Sequence, residues 1–265
     1  MKYILDNDLH IHSYLSKCSN DPEQTTKRIL QYAKDNGLKT VCLTDHYWDR
    51  AVDGASEWYI TQDFEYINSS KPLPKAEGIR FLFGCEAELS KDLKISIPKE
   101  RFNDFDFVII STTHFQLLGV TVTEEETETL EKRAETWVKR LDSVLNMDLP
   151  FHKIGIPHLT CRLIKKGDRE GYLKVIDMIP EDELYRLFKK AAQLGVGIEL
   201  NYGDMKFSDE EADTVLRPYR IAKECGCKFY LGCDAHHPES LLKAKEFFKR
   251  AIDLLELEES DKFII

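Results

Sequence analysis

The chain offers no apolar run long enough to cross a bilayer, and Met1-Lys2-Tyr3-Ile4-Leu5 meets Asp6 and Asp8 before a secretory apolar core can form. It has no low-complexity tract, no Gly/Ser linker and no short repeat, so an array or a tethered tail is not expected. Seven cysteines are an odd number without framework spacing, which excludes a disulfide scaffold and points to a reducing cytoplasm. Cys225 and Cys227 flank Gly226 with no second pair, the pattern of a helix end rather than a zinc finger. Positive charge is short as well: 37 Lys and Arg against 47 Asp and Glu leave a net −10. A negative surface without a basic, aromatic-laced stripe repels phosphate backbones, so neither nucleic acid nor a membrane is an expected partner. A small anionic substrate remains compatible, because bound divalent cations would reverse the local field.

What is present is a β-then-α rhythm. Apolar or β-rich runs fall at 3–11, 40–44, 79–85, 106–111, 153–157, 196–200 and 228–231. Between them, Leu130, Ala134, Trp137, Leu141 and Leu145 repeat at helical steps, as do Leu184, Leu187, Phe188, Ala191 and Leu194 before Gly195. Ser208 ahead of Asp209-Glu210-Glu211 reads as an N-cap, and Pro218 is expected to split the following segment into two short helices. Seven such units predict an α/β fold, a seven-stranded (β/α) barrel of TIM-like type, in a single domain over 1–265. The stretches 47–77 and 159–179 fit no unit and are expected as long active-site loops.

The eight histidines fall almost wholly at strand ends. His10 and His12 end the first run, and His46, His114 and His158 follow the second, fourth and fifth. Glu86 and Glu88 end the third, while Asp234 and His236 follow the seventh. In a parallel β/α barrel every strand opens on the same face at its C-terminal end, so these side chains converge. His10 and His12 stand at i and i+2 of a strand and project to one side, which allows two imidazoles to grip one ion; a solvent-facing polar pair has the same spacing. Glu86 ends the apolar run Phe81-Leu82-Phe83-Gly84-Cys85, where an unpaired carboxylate would be costly. Imidazoles mixed with carboxylates suit zinc, manganese or iron, and there are more ligands than one ion uses, so two or three divalent transition-metal ions are expected. Such a cluster suits hydrolysis. His152, His237, Cys85 and Cys233 are expected to lie outside it.

In order along the chain, Asp8-Leu9-His10-Ile11-His12-Ser13, Leu43-Thr44-Asp45-His46, Gly84-Cys85-Glu86-Ala87-Glu88, the His of Ser111–His114, Gly155-Ile156-Pro157-His158 and Gly232–His236 resemble the PHP (polymerase and histidinol phosphatase) superfamily. That resemblance implies a distorted seven-stranded barrel and phosphoester hydrolysis by attack of a metal-bound hydroxide. It implies one ion on His10, His12, Glu86 and Asp234. A second would lie on Glu86, as bridge, with His114 and His158, and His46 and His236 would take part in a third. Glu86, Asp234 and His236 are then the catalytic candidates. The sequence departs from the family pattern at Ser16-Lys17-Cys18-Ser19-Asn20-Asp21, where the His of three-metal members falls on Cys18 and the alternative Asp on Lys17. A Cys18 thiolate can bind zinc, an inert Cys18 would leave the third ion weakly held, and Asp21 is a substitute ligand to consider.

The length and the strand end Ile198-Glu199-Leu200-Asn201 are similar to the histidinol-phosphate phosphatase branch, which implies a small phosphomonoester substrate. Arg162, four residues past His158, is a candidate clamp on phosphate oxygens, although an Arg beside Lys165 and Lys166 also fits a solvated surface. Trp48, Arg50, Trp58 and Tyr59 are candidates to wall a substrate pocket or simply to pack their loop. Two other readings stay open: a phosphodiesterase or nuclease acting on nucleotides, and a catalytically weak metal-binding regulatory module.

Overall fold

The computed structural model describes residues 1–265. Its parallel strands are β1 (Asn7–Ile11), β2 (Thr40–Leu43), β3 (His46–Tyr47), β4 (Arg80–Glu88), β5 (Phe107–Ser111), β6 (Ile154–Ile156), β7 (Gly197–Asn201) and β8 (Lys228–Gly232). Hydrogen bonding runs β1-β2-β4-β5-β6-β7-β8, with β3 also on β4. The expected seven strands are therefore present, the second broken in two at Thr44-Asp45, and both pieces pair with β4. The barrel is nearly closed. β8 and β1 meet through Asp234 N–H to His10 O at 2.7 Å and His12 N–H to Ala235 O at 3.1 Å.

Helices α1 (Thr26–Asn36), α2 (Phe64–Asn68), α3 (Leu130–Leu145), α4 (Arg169–Met178), α5 (Glu181–Leu194), α6 (Ala212–Glu224) and α7 (Ala244–Leu254) accompany the strands. The stripes of α3 and α5 bury Trp137, Leu141, Leu187 and Phe188 as their spacing predicts. Gly195 ends α5 in the left-handed region at φ 73, which costs a glycine nothing. No helix is long and apolar enough to cross a membrane.

Three local expectations are corrected. α6 runs unbroken through Pro218, because Val215, Leu216, Tyr219, Ile221 and Ala222 bury on both sides of it and outweigh one missing hydrogen bond. Ser208 is not the N-cap; its hydroxyl donates to Glu210 Oε2 in a turn, and the helix begins later, at Ala212. Residues 159–179 are not a loop: they form a 3-10 turn at Arg162–Lys165 and then α4, whose first turn the Asp168 side chain caps at Gly171 N–H. The sequence reading missed this helix because Lys165–Arg169 is a run of charge and glycine. The stretch 47–77 is largely irregular apart from α2.

Two apolar clusters frame the site. The larger lies between sheet and helices and takes Ile11, Phe83, Cys85, Ala87 and Cys233. A smaller one fills the barrel floor with Leu9, Cys42, Leu82, Phe107, Ile109, Tyr230 and Phe263. On β4, alternation sends Phe83, Cys85 and Ala87 to the helices, and so Glu86 and Glu88 into the barrel. The ladder of β1 is irregular between Asp8 and Ile11, which lets Leu9 and His10 both turn inward.

Candidate metal centre

Above the apolar floor, the barrel mouth gathers His10, His12, His46, Glu86, Glu88, His114, His158, Asp234 and His236. Their donor atoms form four overlapping groups, each within 4.8 Å: His12, His46 and His236; His10, His12 and Asp234; Glu86, His114 and His158; His46, Glu86 and Glu88. Glu86 is 1 % exposed and stands at the centre. Its Oε2 faces His46 Nδ1 at 3.0 Å, His12 Nε2 at 3.3 Å and His10 Nε2 at 3.6 Å. Its Oε1 faces His158 Nε2 at 3.1 Å and His114 Nε2 at 3.9 Å. Each oxygen of one carboxylate thus addresses a different set of imidazoles. Asp234 Oδ1 closes the first set, 3.2 Å from His12 Nε2 and 3.4 Å from His10 Nε2.

Backbone strain marks two of these positions. His158 and Asp234 adopt φ 35 and φ 50, a region costly for residues with a Cβ and tolerated where the surroundings fix it.

A further layer of partners fixes the rings. His10 Nδ1 bonds Glu199 Oε1 at 2.7 Å, His12 Nδ1 the Ser16 hydroxyl at 2.8 Å, His114 Nδ1 Glu88 Oε1 at 2.8 Å, and His158 Nδ1 the Thr113 hydroxyl at 2.7 Å. His236 Nδ1 donates to the Asp234 carbonyl at 2.8 Å. With each Nδ1 engaged, the Nε2 lone pair is left to face the centre, the usual arrangement around metal-binding histidines. Glu199 also accepts the His158 backbone N–H at 2.7 Å through Oε2. Glycine at 232 makes this possible: a Cβ there would lie 1.7 Å from Glu199 Oε1.

The donor set fits divalent ions. His46 Nδ1 and Glu88 Oε2 are buried without any hydrogen-bond partner, an expense that a cation between them would relieve. Without ions, protons act as the counter-charge. Burial alone would lower His10, but Glu199 and Asp234 hold it well above its usual value. Burial likewise opposes the rise of His12 and His158, yet hydrogen bonds that His12 donates to Asp234 and Glu86, and His158 to Glu86, hold them at about 9. His46 is pushed well below its usual value by burial, and His236 to about 4 by burial and the charge of His12. Burial disfavours ionised Glu86 and Asp234, but the ring of imidazoles around them holds both well below the usual carboxylate range.

Beside the centre lies a cavity of about 300 Å³, lined by Trp58, Tyr59, Gln116, Leu117, Leu163 and Cys18 together with His46, Glu86, His114, Asp234 and His236. Trp58 stands edge-on to His46 at 5.2 Å between ring centroids, and the buried Tyr59 hydroxyl donates to Glu88 Oε1 at 2.6 Å. Trp48 is buried away from the cavity lining and Arg50 pairs with Asp63. Cys18 sits exposed on the rim, outside all four donor groups, and Asp21 pairs with His237 at 3.3 Å. Arg162 is exposed and donates to the Lys206 carbonyl at 2.8 Å; its neighbour Leu163 lines the cavity.

Sequence reasoning passed over Ser16, Asp45, Thr113, Glu199 and Arg140 as site residues. Glu199 carried the signal that found Glu86, an acid inside the apolar run Gly197-Ile198-Glu199-Leu200. Arg140, on the buried face of α3, gave no such signal. Its guanidinium, 1 % exposed, donates to the carbonyls of Leu89 at 2.6 Å, Thr112 at 2.7 Å, Ser90 at 3.3 Å and also Thr121. It ties the segment after Glu88 to the one carrying His114.

The fold and its cluster of imidazoles and carboxylates define a β/α barrel with a set of candidate metal ligands at the C-terminal face of its strands. Residues 8–203 match the PHP domain model, and the chain belongs to that family. No curated protein matches it in sequence. Among solved structures it is similar to histidinol phosphate phosphatase from Lactococcus lactis subsp. lactis, determined in complex with zinc, L-histidinol and phosphate. The two share 21 % identity over 93 % of each chain, with a TM-score of 0.61. It is also similar to a putative histidinol phosphatase from Listeria monocytogenes, at 12 % identity, TM-score 0.63, covering 91 % of this chain and 99 % of that one. At these identities the likeness concerns the fold.

Proposed function

We propose that the chain is a metal-dependent phosphatase that hydrolyses a small phosphomonoester of the histidinol phosphate kind. The observation that carries this reading is Glu86, one buried carboxylate whose two oxygens face separate sets of imidazoles. On this reading His10, His12, Glu86 and Asp234 hold one ion, and Glu86, His114 and His158 a second. His12, His46 and His236 offer a third position that does not require Cys18. Zinc, manganese or iron suits these donors. Bound there, the ions would acidify water and neutralise the charge of phosphoryl oxygens.

The chain's own groups supply orientation. Glu199, Ser16, Glu88 and Thr113 hold the imidazoles with Nε2 inward. Asp234, whose side chain is 30 % exposed and lines the cavity, turns Oδ1 toward His10 and His12 as the donor that completes their set. His236 lines the same wall. The cavity has the volume of a small-molecule site, and a polymer strand has no basic track along it. Its lining contains no Lys or Arg, while Gln116 Oε1 is buried without a partner. A leaving group that brings an N–H donor and no negative charge answers both features. The solved complex of the Lactococcus lactis protein with L-histidinol and phosphate supports the same class.

The test is phosphate release from histidinol phosphate, an aryl phosphate and a bis-aryl phosphodiester, with metal content measured on the same chelator-free preparation. Two or three ions per chain with chelator-sensitive release from the monoesters is the expected result. Preference for the diester would move the assignment to a phosphodiesterase. Full metal without turnover of any ester would favour a regulatory module.

A further inference from the structure

Ser16 lies in the turn that follows β1, is 0 % exposed, and touches three groups of the centre's surround. Its hydroxyl donates to Asp45 Oδ1 at 2.7 Å. The same oxygen atom of Ser16 faces His12 Nδ1 at 2.8 Å and accepts the His46 backbone N–H at 3.1 Å. Asp45 is used wholly as an acceptor: Oδ1 also takes Ser13 N–H at 2.7 Å, and Oδ2 takes the Ser13 hydroxyl at 2.7 Å. A hydroxyl has one proton, and here it is committed to the carboxylate. The contact with His12 is then possible in one sense only, with Nδ1–H donating to Ser16. In the neutral ring that binds a metal, that assignment leaves Nε2 as the lone-pair nitrogen. It is this atom that stands 3.3 Å from Glu86 Oε2 and 3.2 Å from Asp234 Oδ1.

We propose that Ser16, oriented by Asp45, is a positioning residue that selects the metal-binding tautomer of His12 and at the same time anchors the backbone of His46. One hydroxyl then sets both the chemistry of a ligand just past β1 and the placement of a ligand from β3. His12 and His46 share a donor group with His236, so the relay acts first on the ions that His12 touches and reaches the His114–His158 side only through Glu86 and Glu88. The inference rests on the reading of His12 as a metal ligand.

The experiment measures zinc affinity by chelator competition for the wild-type chain and Ser16→Ala, with melting of the metal-free forms and 1H–15N imidazole spectra of the zinc-loaded forms. Wild type should show a slowly exchanging His12 Nδ1–H in the zinc-loaded state. Ser16→Ala should lose that signal and weaken the ions on His12 by about ten- to a hundredfold, the scale of other such partners, with the Glu86–His114–His158 ion affected less. Unchanged affinity with the signal retained would overturn the relay. So would an equal loss at every ion together with a large fall in metal-free stability, which would mark a packing role. Should Ser16→Ala not fold, the wild-type spectrum still decides, because absence of a protected Nδ1–H on zinc-loaded His12 refutes the assignment. Wild type that binds no zinc at all would instead sink the metal reading of the whole site.

Discussion

Replacing Gly232 with alanine should disable the centre without replacing any candidate ligand. A Cβ at this position would lie 1.7 Å from Glu199 Oε1 and 2.7 Å from the Cβ of His10. Relief is costly for either neighbour, since Glu199 and His10 are both 0 % exposed. The carboxylate must rotate, and in doing so it leaves His10 Nδ1 and the His158 backbone N–H, each now bonded at 2.7 Å. Two hydrogen bonds to a buried charge contribute about 1.5–3 kcal/mol each, so the variant should lose about 3–6 kcal/mol of stability. Freed of its partner, the His10 ring no longer presents a fixed Nε2, and metal affinity should fall by about ten- to a hundredfold. Urea melts and chelator competition measure the two effects separately. The decisive control is the double variant with Glu199→Ala. Removing the carboxylate removes the 1.7 Å clash and leaves only the 2.7 Å approach to His10 Cβ, so Gly232→Ala should cost less in that background than alone, and the two losses should not add. A Gly232→Ala protein with wild-type stability and metal affinity, or strict additivity in the cycle, would refute the reasoning.

Glu86→Gln keeps the shape of the central residue and removes its charge; it should release at least one ion per chain and cut turnover more than about a hundredfold, a barrier change of roughly 3 kcal/mol. Wild-type metal content and rate in that variant would end the shared-carboxylate picture. Cys18→Ala should leave metal stoichiometry unchanged, because Cys18 lies outside every donor group, and loss of an ion would restore the thiol as a ligand. Metal-free protein should be most stable near about pH 6.5. His12 and His158 are held at about 9 when folded, against about 6.5 unfolded, so their contribution is full below about 6.5 and is lost as pH rises through 9. His236 falls to about 4, so its contribution is present above about 6.5 and is lost as pH drops toward 4. Chelated samples melted across this range check the signs, and greater stability at about pH 8.5 than at 6.5 would contradict them; saturating zinc should shift the optimum upward by displacing the same protons.

The sequence by itself determined the barrel and the gathering of most candidate ligands at one face, because both depend on local periodicity. Strand runs alternating with helical stripes leave few topologies, and parallel strands bring every C-terminal end to one face. Alternation on β4 was enough to turn Glu86 and Glu88 inward once Phe83, Cys85 and Ala87 packed outward. Periodicity failed where tertiary packing overrode local preference, as in the unbroken helix around Pro218, and where charge masked a helix at Arg169–Met178. Only the tertiary structure could decide the partners of the candidate ligands. Ser16 meets Asp45, Glu199 meets His10 across 189 residues, and Arg140 reaches carbonyls up to 51 residues away. A buried hydrogen bond needs donor and acceptor within about 3 Å and aligned, a condition on three-dimensional position that sequence spacing does not encode.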